Sequence, residues 1–313
     1  MSQHGIEVLT AYITSQSSNL PAHTLIDLLR AVLEIEDFRD IKVLESHPGI
    51  INLLRRGIDK LTRNEPAAAA SLSAGVVSLM IPLLNSHQVG VRRTTVQGLK
   101  DVIAVALLND NDTHQVLPPT RKRASPSRSV IAAIESTLGP QYQDAWELAL
   151  QLSEEVFCHV GRQRAGLAAG ILHRVAKLCE RGEDIAMLEN LSLEDIKEEK
   201  RLASAACSAY GSAIRSLGPQ AVLEMLPMQL EEGLNGQVEA RPWVLPLLKI
   251  YTREAQLSYW TDQLFPVAKN MAARAASSSN QHESTICATL DKQVWDTLPS
   301  FATWSNDVGS AFG

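Results

Sequence analysis

Residues Met80–Ile103, MIPLLNSHQVGVRRTTVQGLKDVI, contain the pattern that decides the fold. An apolar segment with Pro82 inside it is followed by a short polar turn, and a second segment opens at Val91 and Arg92. Apolar residues of the second segment recur at spacings of three and four, which places them on one face of an α-helix. The proline removes one backbone hydrogen bond and bends the first helix. The stretch therefore predicts two helices that are joined by a short turn and pack against each other.

The same organisation recurs along the chain. Nearly every segment has the pattern of a short amphipathic helix bounded by Pro, Gly or a brief polar joint, and no β-hairpin signal is present. The tetrapeptide LGPQ occurs at Leu138–Gln141 and Leu217–Gln220, and PLL occurs at Pro82–Leu84 and Pro246–Leu248. Both separations are close to whole multiples of ~40 residues, the period of HEAT and armadillo repeats. The sequence therefore predicts an all-α fold, an α-solenoid of HEAT/armadillo-like helical hairpins with a period of about 40 residues.

One stretch interrupts this pattern and divides the chain. Residues 109–128, NDNDTHQVLPPTRKRASPSR, combine turn formers, a proline pair and a basic cluster, which predicts a long exposed loop. The predicted organisation is HEAT-like repeats over 1–108, the exposed basic loop over 109–128, and further HEAT-like repeats over 129–313.

Composition narrows the classes of function. Aromatic residues make up only 5 % of the chain, which favours helix over sheet. The net charge of −6 argues against a protein that grips nucleic acid by bulk electrostatics, and leaves room only for local basic patches. The sequence is interpreted as having no apolar run near the ~18 residues that a membrane-spanning helix needs, so no membrane partner is predicted. The four cysteines, in apolar helical contexts without a CxxC pair, are expected to be buried reduced thiols.

No catalytic or metal-binding motif is recognisable. The chain has no HExxH, no Cys/His cluster, no EF-hand loop, no phosphate loop and no dinucleotide fingerprint. The glycines of GRQRAGLAAG (Gly161–Gly170) are better explained by close helix packing than by phosphate binding. A catalytic pair of Cys158 or Cys179 with His173 stays open, but nothing supports it. We therefore expect no enzyme activity, no cofactor and no small-molecule substrate.

Three groups of basic residues are candidate contacts for RNA or for a nuclear-import factor. They could merge into a ridge, because the second helices of successive repeats line one face of a solenoid. Ordinary solvated helix faces and a solvated loop are the alternative explanation. Ser125, which precedes Pro126, is a candidate phosphosite whose modification would weaken the loop patch. The groups are Arg92, Arg93 and Lys100; Arg121, Lys122, Arg123 and Arg128; and Arg162 and Arg164, with Arg174 and Lys177 nearby.

The C-terminal half carries a more specific series of motifs in a fixed order. These motifs are Gly218-Pro219, Leu226-Pro227, Arg241, Trp243–Pro246, Leu264–Pro266 and Trp295–Phe301. In this order and spacing they resemble the nucleolar HEAT-repeat domain of the ribosomal RNA-processing protein 12 family. The resemblance is firmest from about residue 136 onward and extends more loosely to Ser86–Ile103.

The resemblance implies a non-enzymatic scaffold in ribosome biogenesis, located in the nucleus and nucleolus. It implies association with pre-ribosomal proteins and pre-rRNA, a part in pre-rRNA processing and subunit export, and the Ran GTPase and nuclear transport factors as further partners. Family members are several times longer, so the chain is expected to be an internal part of such a protein, truncated at its C-terminal end. The alternative is a karyopherin-like nuclear transport receptor or adaptor, which shares the solenoid and the acidic balance.

Overall fold

The computed structural model describes residues 3–15, 20–109, 125–184, 192–303, 305 and 307. Within these ranges all regular secondary structure is helical and no strand is present. This confirms the all-α prediction. The chain divides into two compact units, Met1–Val160 and Gly161–Gly313.

Unit 1 is a set of packed helices around α5. Its helices are α1 (Gln3–Thr14), α2 (Ala22–Glu34), α3 (Ile41–Ser46), α4 (Gly49–Asn64), α5 (Pro66–Met80), α6 (Val89–Leu108), α7 (Pro126–Ser136) and α8 (Trp146–Val160). Helix α5 packs against α2, α4, α6 and α7, while α4 also contacts α1, α2 and α6. The hairpin predicted from Met80–Ile103 is present: a 3-10 turn over Ile81–Asn85 contains Pro82 and ends α5, and α6 follows after a short joint.

The segment Pro66–Asn85 corrects one sequence expectation. It runs for 20 residues with a mean hydropathy of 1.9, long and apolar enough by composition to cross a membrane, whereas no run near that length was expected. More than half of it is buried inside unit 1, where Val76, Val77 and Leu84 have no exposed surface. Packing of α5 on its helical neighbours accounts for the apolar composition.

Unit 2 is built from shorter helices. They are α9 (Ala169–Asp184), α10 (Leu193–Leu217), α11 (Pro219–Met225), α12 (Leu230–Leu234), α13 (Val244–Tyr251), α14 (Leu257–Tyr259), α15 (Phe265–Ser277), α16 (Gln281–Trp295) and α17 (Leu298–Ala302). Helix α10 packs against α9, α11 and α13, and α15 packs against α16. A π-helical turn, Trp260–Leu264, joins α14 to α15.

Both LGPQ copies mark helix junctions, but the junctions differ. Gly218 has φ +90° and is shared by the end of α10 and the start of α11, a conformation that favours glycine. Gly139 has φ −79°, and Pro140 after it begins a 3-10 turn that leads into α8. Three helices, α8 to α10, lie between the copies in the described residues, whereas two complete hairpins would place four. The copies are therefore not equivalent points of a strict repeat.

The basic loop predicted over 109–128 is only partly described. Residues 110–124 lie outside the described residues, and they include Arg121, Lys122 and Arg123. Helix α7 begins at Pro126, so the end of the predicted loop, Pro126–Arg128, is helical. Proline at the first helical position has the φ angle that a helix requires. The buried Ser127 hydroxyl donates to the Ala106 carbonyl at 3.3 Å and ties the start of α7 to α6.

Candidate interaction surfaces

The exposed side of α6 carries the first predicted basic group. Arg93 and Lys100 lie seven residues apart, which places them on the same side of the helix about 10 Å from each other. Arg92 points about 100° away from Arg93. Arg93 is exposed and the other two side chains are half-buried. Within the described residues none of the three forms a hydrogen bond or ion pair through its side chain. Their charge is therefore available to an outside anion.

The neighbouring acidic residue of α6 does not cancel this charge. The carboxylate of Asp101 forms an ion pair with Arg55 of α4 and also accepts a hydrogen bond from Gln97 at 3.0 Å. Arg55 therefore balances Asp101, and Arg93 and Lys100 remain as net positive charge on this face.

The second basic group is represented by Arg128 alone. Arg128 lies in the first turn of α7 and is exposed, and its side chain has no partner within the described residues. Ser125, the candidate phosphosite, is half-buried at the N-cap position of the same helix, where its side chain makes no capping hydrogen bond. The remaining residues of this group, Arg121, Lys122 and Arg123, lie outside the described residues.

The third basic group contains an arginine with a structural role. Arg162 donates from Nη1 to the carbonyl of Glu254 at 2.9 Å and from Nη2 to the carbonyl of Arg253 at 3.1 Å. Its side chain also lies over Gly218, within about 3.5 Å of the position that a Cβ would take. Glu254 has a left-handed backbone, φ +49°, which these contacts hold in place. Arg164 is half-buried two residues further on.

Arg241, one of the motif residues, fixes the turn before α12. Its Nε donates to Glu180 of α9 at 2.8 Å, and its Nη1 donates to the Pro227 carbonyl at 3.1 Å and to Gln229 Oε1 at 3.0 Å. Gln229 has a left-handed backbone, φ +52°. The arginine therefore links α9 to a strained turn and connects two members of the motif series, Arg241 and Pro227.

The aromatic motif residues pack against one another. The buried indole of Trp260 donates to Thr297 Oγ1 at 2.9 Å, and Trp295 lies 5.2 Å from Trp260 and 5.8 Å from Phe265 between ring centroids. Phe301 is fully buried. Aromatic pairs at these distances stabilise a fold beyond the area that they bury. The Trp295–Phe301 motif therefore packs chiefly through Thr297 and Phe301, whereas Trp295 keeps 43 % of its surface exposed.

A groove that the sequence analysis missed opens on unit 2. It encloses about 720 Å³ between α11–α12 and the segment from α14 to α15. Among the described residues that line it, four are acidic and none is a lysine or arginine. The acidic residues come from three separate segments, so no local sequence pattern marks them. They are Glu224, Glu231, Glu232 and Asp262.

The described residues contain no group of three or more His, Cys, Asp or Glu side chains that could hold a metal ion.

The thiol of Cys179 is hydrogen-bonded to Cys207 and buried, and both effects raise the pKa of Cys179. A raised pKa keeps the thiol protonated and poorly nucleophilic. His173 is exposed and bonds through Nδ1 to the Ala169 carbonyl at 2.7 Å. The expectation that all the cysteines are buried is wrong for Cys158, which is exposed, and for Cys207, which is half-buried.

Comparison with known proteins places the sequence in a family. The model described as "Ribosomal RNA-processing protein 12, HEAT repeats" matches residues 85–313. The chain belongs to this family. Its helices are thus those of a HEAT-repeat fold, as the sequence predicts, and the resemblance first seen in its motifs is confirmed.

Three curated relatives share part of their length with the chain. The RRP12-like protein of Gallus gallus is 29 % identical over 183 residues, which cover 58 % of this chain and 13 % of that protein. The RRP12-like protein of Homo sapiens is 28 % identical over 199 residues, which cover 62 % of this chain and 14 % of that protein. The putative ribosomal RNA-processing protein 12 of Schizosaccharomyces pombe is 31 % identical over 106 residues, which cover 33 % of this chain and 9 % of that protein. The chain therefore matches only a small part of each relative. The name of the Schizosaccharomyces pombe relative connects that protein with ribosomal RNA processing.

Proposed function

We propose that this chain is a non-enzymatic HEAT-repeat scaffold in ribosome biogenesis. It associates with pre-ribosomal proteins and pre-rRNA in the nucleus and nucleolus, and it supports pre-rRNA processing and export of ribosomal subunits. The family match over residues 85–313 carries this proposal. The family is not a known enzyme class. Helical repeats present long surfaces on which several partners can assemble, which suits a scaffold.

The proposed RNA contacts of unit 1 are Arg92, Arg93 and Lys100 on α6 and Arg128 on α7. Arg93 and Arg128 are exposed, Arg92 and Lys100 are half-buried, and none of the four has an ion-pair partner among the described residues. A phosphate that approaches an unpaired surface cation releases counterions without breaking an existing salt bridge. Arg121, Lys122 and Arg123 are further proposed RNA contacts, and phosphorylation of Ser125 would reduce the positive charge of this part of the sequence.

A salt-titrated RNA-binding assay tests the proposed surface. The variant Arg93→Gln/Lys100→Gln is expected to weaken binding of a single-stranded RNA and to lower the slope of log affinity against log salt by about 0.7 for each lost phosphate contact. The matched control is Arg39→Gln/Lys42→Gln, which removes two exposed cations of the same unit whose side chains also have no partner in the described residues. Equal effects of the two variants would argue against the α6 face. Charge reversal at Arg121, Lys122 and Arg123 tests the loop, and unchanged RNA affinity and nuclear import would exclude it.

A pull-down from nuclear extract tests the wider role. Enrichment of pre-ribosomal proteins with rRNA supports the scaffold. Co-enrichment of Ran and transport factors with these particles would extend the proposal to export. Enrichment of Ran and cargo without rRNA would instead favour a karyopherin-like transport receptor and overturn the proposal.

A further inference from the structure

The acidic groove of unit 2 has an apolar floor. Its floor is formed by Leu223, Met228, Leu230, Leu264 and Val267. Tyr259 stands at one side, with its ring 6.5 Å from the buried Phe301. A second cavity of about 310 Å³ shares Tyr259, Gln220, Glu224 and Gln256 with the groove and continues it toward the start of α11. The two cavities adjoin each other through these shared lining residues.

The carboxylates at the rim of the groove are not held in ion pairs in the part of the chain that the structure describes. Within the described residues Glu224, Glu231, Glu232 and Asp262 form no ion pair. Glu224 accepts a hydrogen bond from Gln220 at 3.0 Å, and Glu231 accepts one from Asn270 at 2.9 Å. These neutral donors position the carboxylates without neutralising them.

The arginines beside the groove form their ion pairs and hydrogen bonds with other groups, and only the charge of Arg274 also attracts a rim carboxylate, that of Glu231, without an ion pair in the described residues. Arg241 forms its ion pair with Glu180, and Arg274 forms one with Glu283 at 2.9 Å. Arg162, at the edge of the adjoining cavity, donates to the carbonyls of Arg253 and Glu254. The groove therefore keeps a net negative charge around an apolar floor.

We propose that this groove binds a lysine- and arginine-rich protein segment that places an aliphatic side chain on the floor. The basic side chains would pair with the rim carboxylates, and the aliphatic side chain would cover Leu223 and Leu264. Burial of such an anchor supplies affinity, while complementary charge selects the partner and speeds association. RNA does not suit this groove, because phosphates would meet carboxylates of the same sign. The inference goes beyond the proposed RNA surface, since it concerns a protein partner and different residues.

Fluorescence anisotropy with a short labelled peptide of alternating lysine and leucine tests this proposal on the full 313-residue chain. The groove variant is Glu224→Gln/Glu232→Gln/Asp262→Asn, which neutralises exposed side chains and leaves Glu231 and its bond to Asn270 intact. The control variant Glu34→Gln/Glu36→Gln/Asp37→Asn makes the same change in net charge at exposed positions of unit 1. We expect roughly tenfold weaker binding for the groove variant and less than about a twofold change for the control.

Two further measurements keep the test decisive. A peptide with a photoreactive leucine analogue is expected to crosslink to residues of α11, α12 or α15 in the unaltered chain. A lysine peptide without leucine is expected to bind more weakly than the alternating peptide. The proposal is overturned if crosslinks fall only in unit 1, if both variants weaken binding equally, or if the peptide without leucine binds as tightly. It is also overturned if a single-stranded RNA competes for the groove and loses affinity in the groove variant but not in the control.

Discussion

Arg241 and Glu180 form a hydrogen-bonded ion pair at 2.8 Å across 61 residues of sequence, and their side chains are only 19 % and 18 % exposed. The same guanidinium holds the backbone of Pro227 and the side chain of Gln229. One side chain thus connects α9 to the turn that forms an edge of the acidic groove. Its removal would leave Glu180 largely buried without its charge partner.

Replacement of Arg241 is expected to destabilise unit 2. Arg241→Ala should lower the free energy of unfolding by about 2–3 kcal/mol, since it isolates a mostly buried carboxylate and frees a strained turn. Arg241→Lys should recover only part of this loss, because lysine lacks the planar fork that reaches three acceptors. Urea denaturation measures the free energy of unfolding of both variants. The control Arg201→Ala breaks an exposed pair with Glu198 and should cost less than about 0.5 kcal/mol. Equal losses in Arg241→Ala and Arg201→Ala would contradict this role.

Gly233 and Gly90 should respond in opposite directions to alanine. A Cβ on Gly233 of α12 would lie 2.4 Å from the Cβ of Ala240 and 3.0 Å from its backbone nitrogen, so the backbone must shift. We expect Gly233→Ala to destabilise the protein by about 1–3 kcal/mol. Gly90 in the first turn of α6 has no atom within 4 Å of its Cβ position, and alanine there should stabilise by about 0.5–1 kcal/mol. The melting temperatures of the two variants test this prediction. A higher melting temperature for Gly233→Ala would contradict it, because it would show that the backbone of Ala240 can move without cost.

Arg162 is expected to affect stability and not RNA affinity, in contrast to Arg93. Arg162→Ala removes two hydrogen bonds to backbone carbonyls, and a cost of about 1 kcal/mol follows because the side chain is partly exposed. Arg93→Gln should weaken RNA binding and leave stability unchanged. Denaturation and RNA titration of both variants separate the two roles. Strong loss of RNA affinity in Arg162→Ala at unchanged stability would return Arg162 to the RNA surface.

Asp307 makes part of the stability dependent on acid. Its carboxylate accepts hydrogen bonds from the backbone of Leu257 at 2.7 Å and of Ser258 at 2.9 Å, and from the hydroxyls of Ser258 and Ser305. These bonds, chiefly those from the two hydroxyls, hold the pKa of Asp307 well below its usual range. Because the folded pKa is depressed, the contribution is present above the ordinary pKa of about 4 and is lost as the pH falls below it.

The variant Asp307→Asn tests this dependence. It is expected to lower the urea midpoint at neutral pH and to flatten the decline of stability below about pH 4. The control Asp144→Asn removes an exposed carboxylate that has no hydrogen bond within the described residues, and its profile should run parallel to that of the unaltered chain. A steep acid decline that persists in Asp307→Asn would assign the effect to other carboxyl groups.

The helices and the family were predictable from the sequence because their signals are local. Apolar spacing along α6 and the prolines that begin α7 and α11 depend on residues within a few turns. The same local rules failed for Pro66–Asn85, because serines interrupt its apolar residues while the mean hydropathy stays at 1.9. They also overextended the loop into Pro126–Arg128, because a proline marks a helix start as readily as a turn.

The sequence by itself therefore determined the all-α class, the helix junctions such as Gly218-Pro219, and membership of the ribosomal RNA-processing protein 12 family. Only the tertiary structure decided which charges are free and which are used. It engaged Arg162 with backbone carbonyls, paired Arg241 with Glu180, and brought acidic side chains from α11, α12 and the π-helical turn to one groove. The physical reason is distance along the chain. Helix formation depends on neighbours three or four residues away. The contacts of Arg162, Arg241 and the groove join residues far apart in sequence, which meet only after the helices pack.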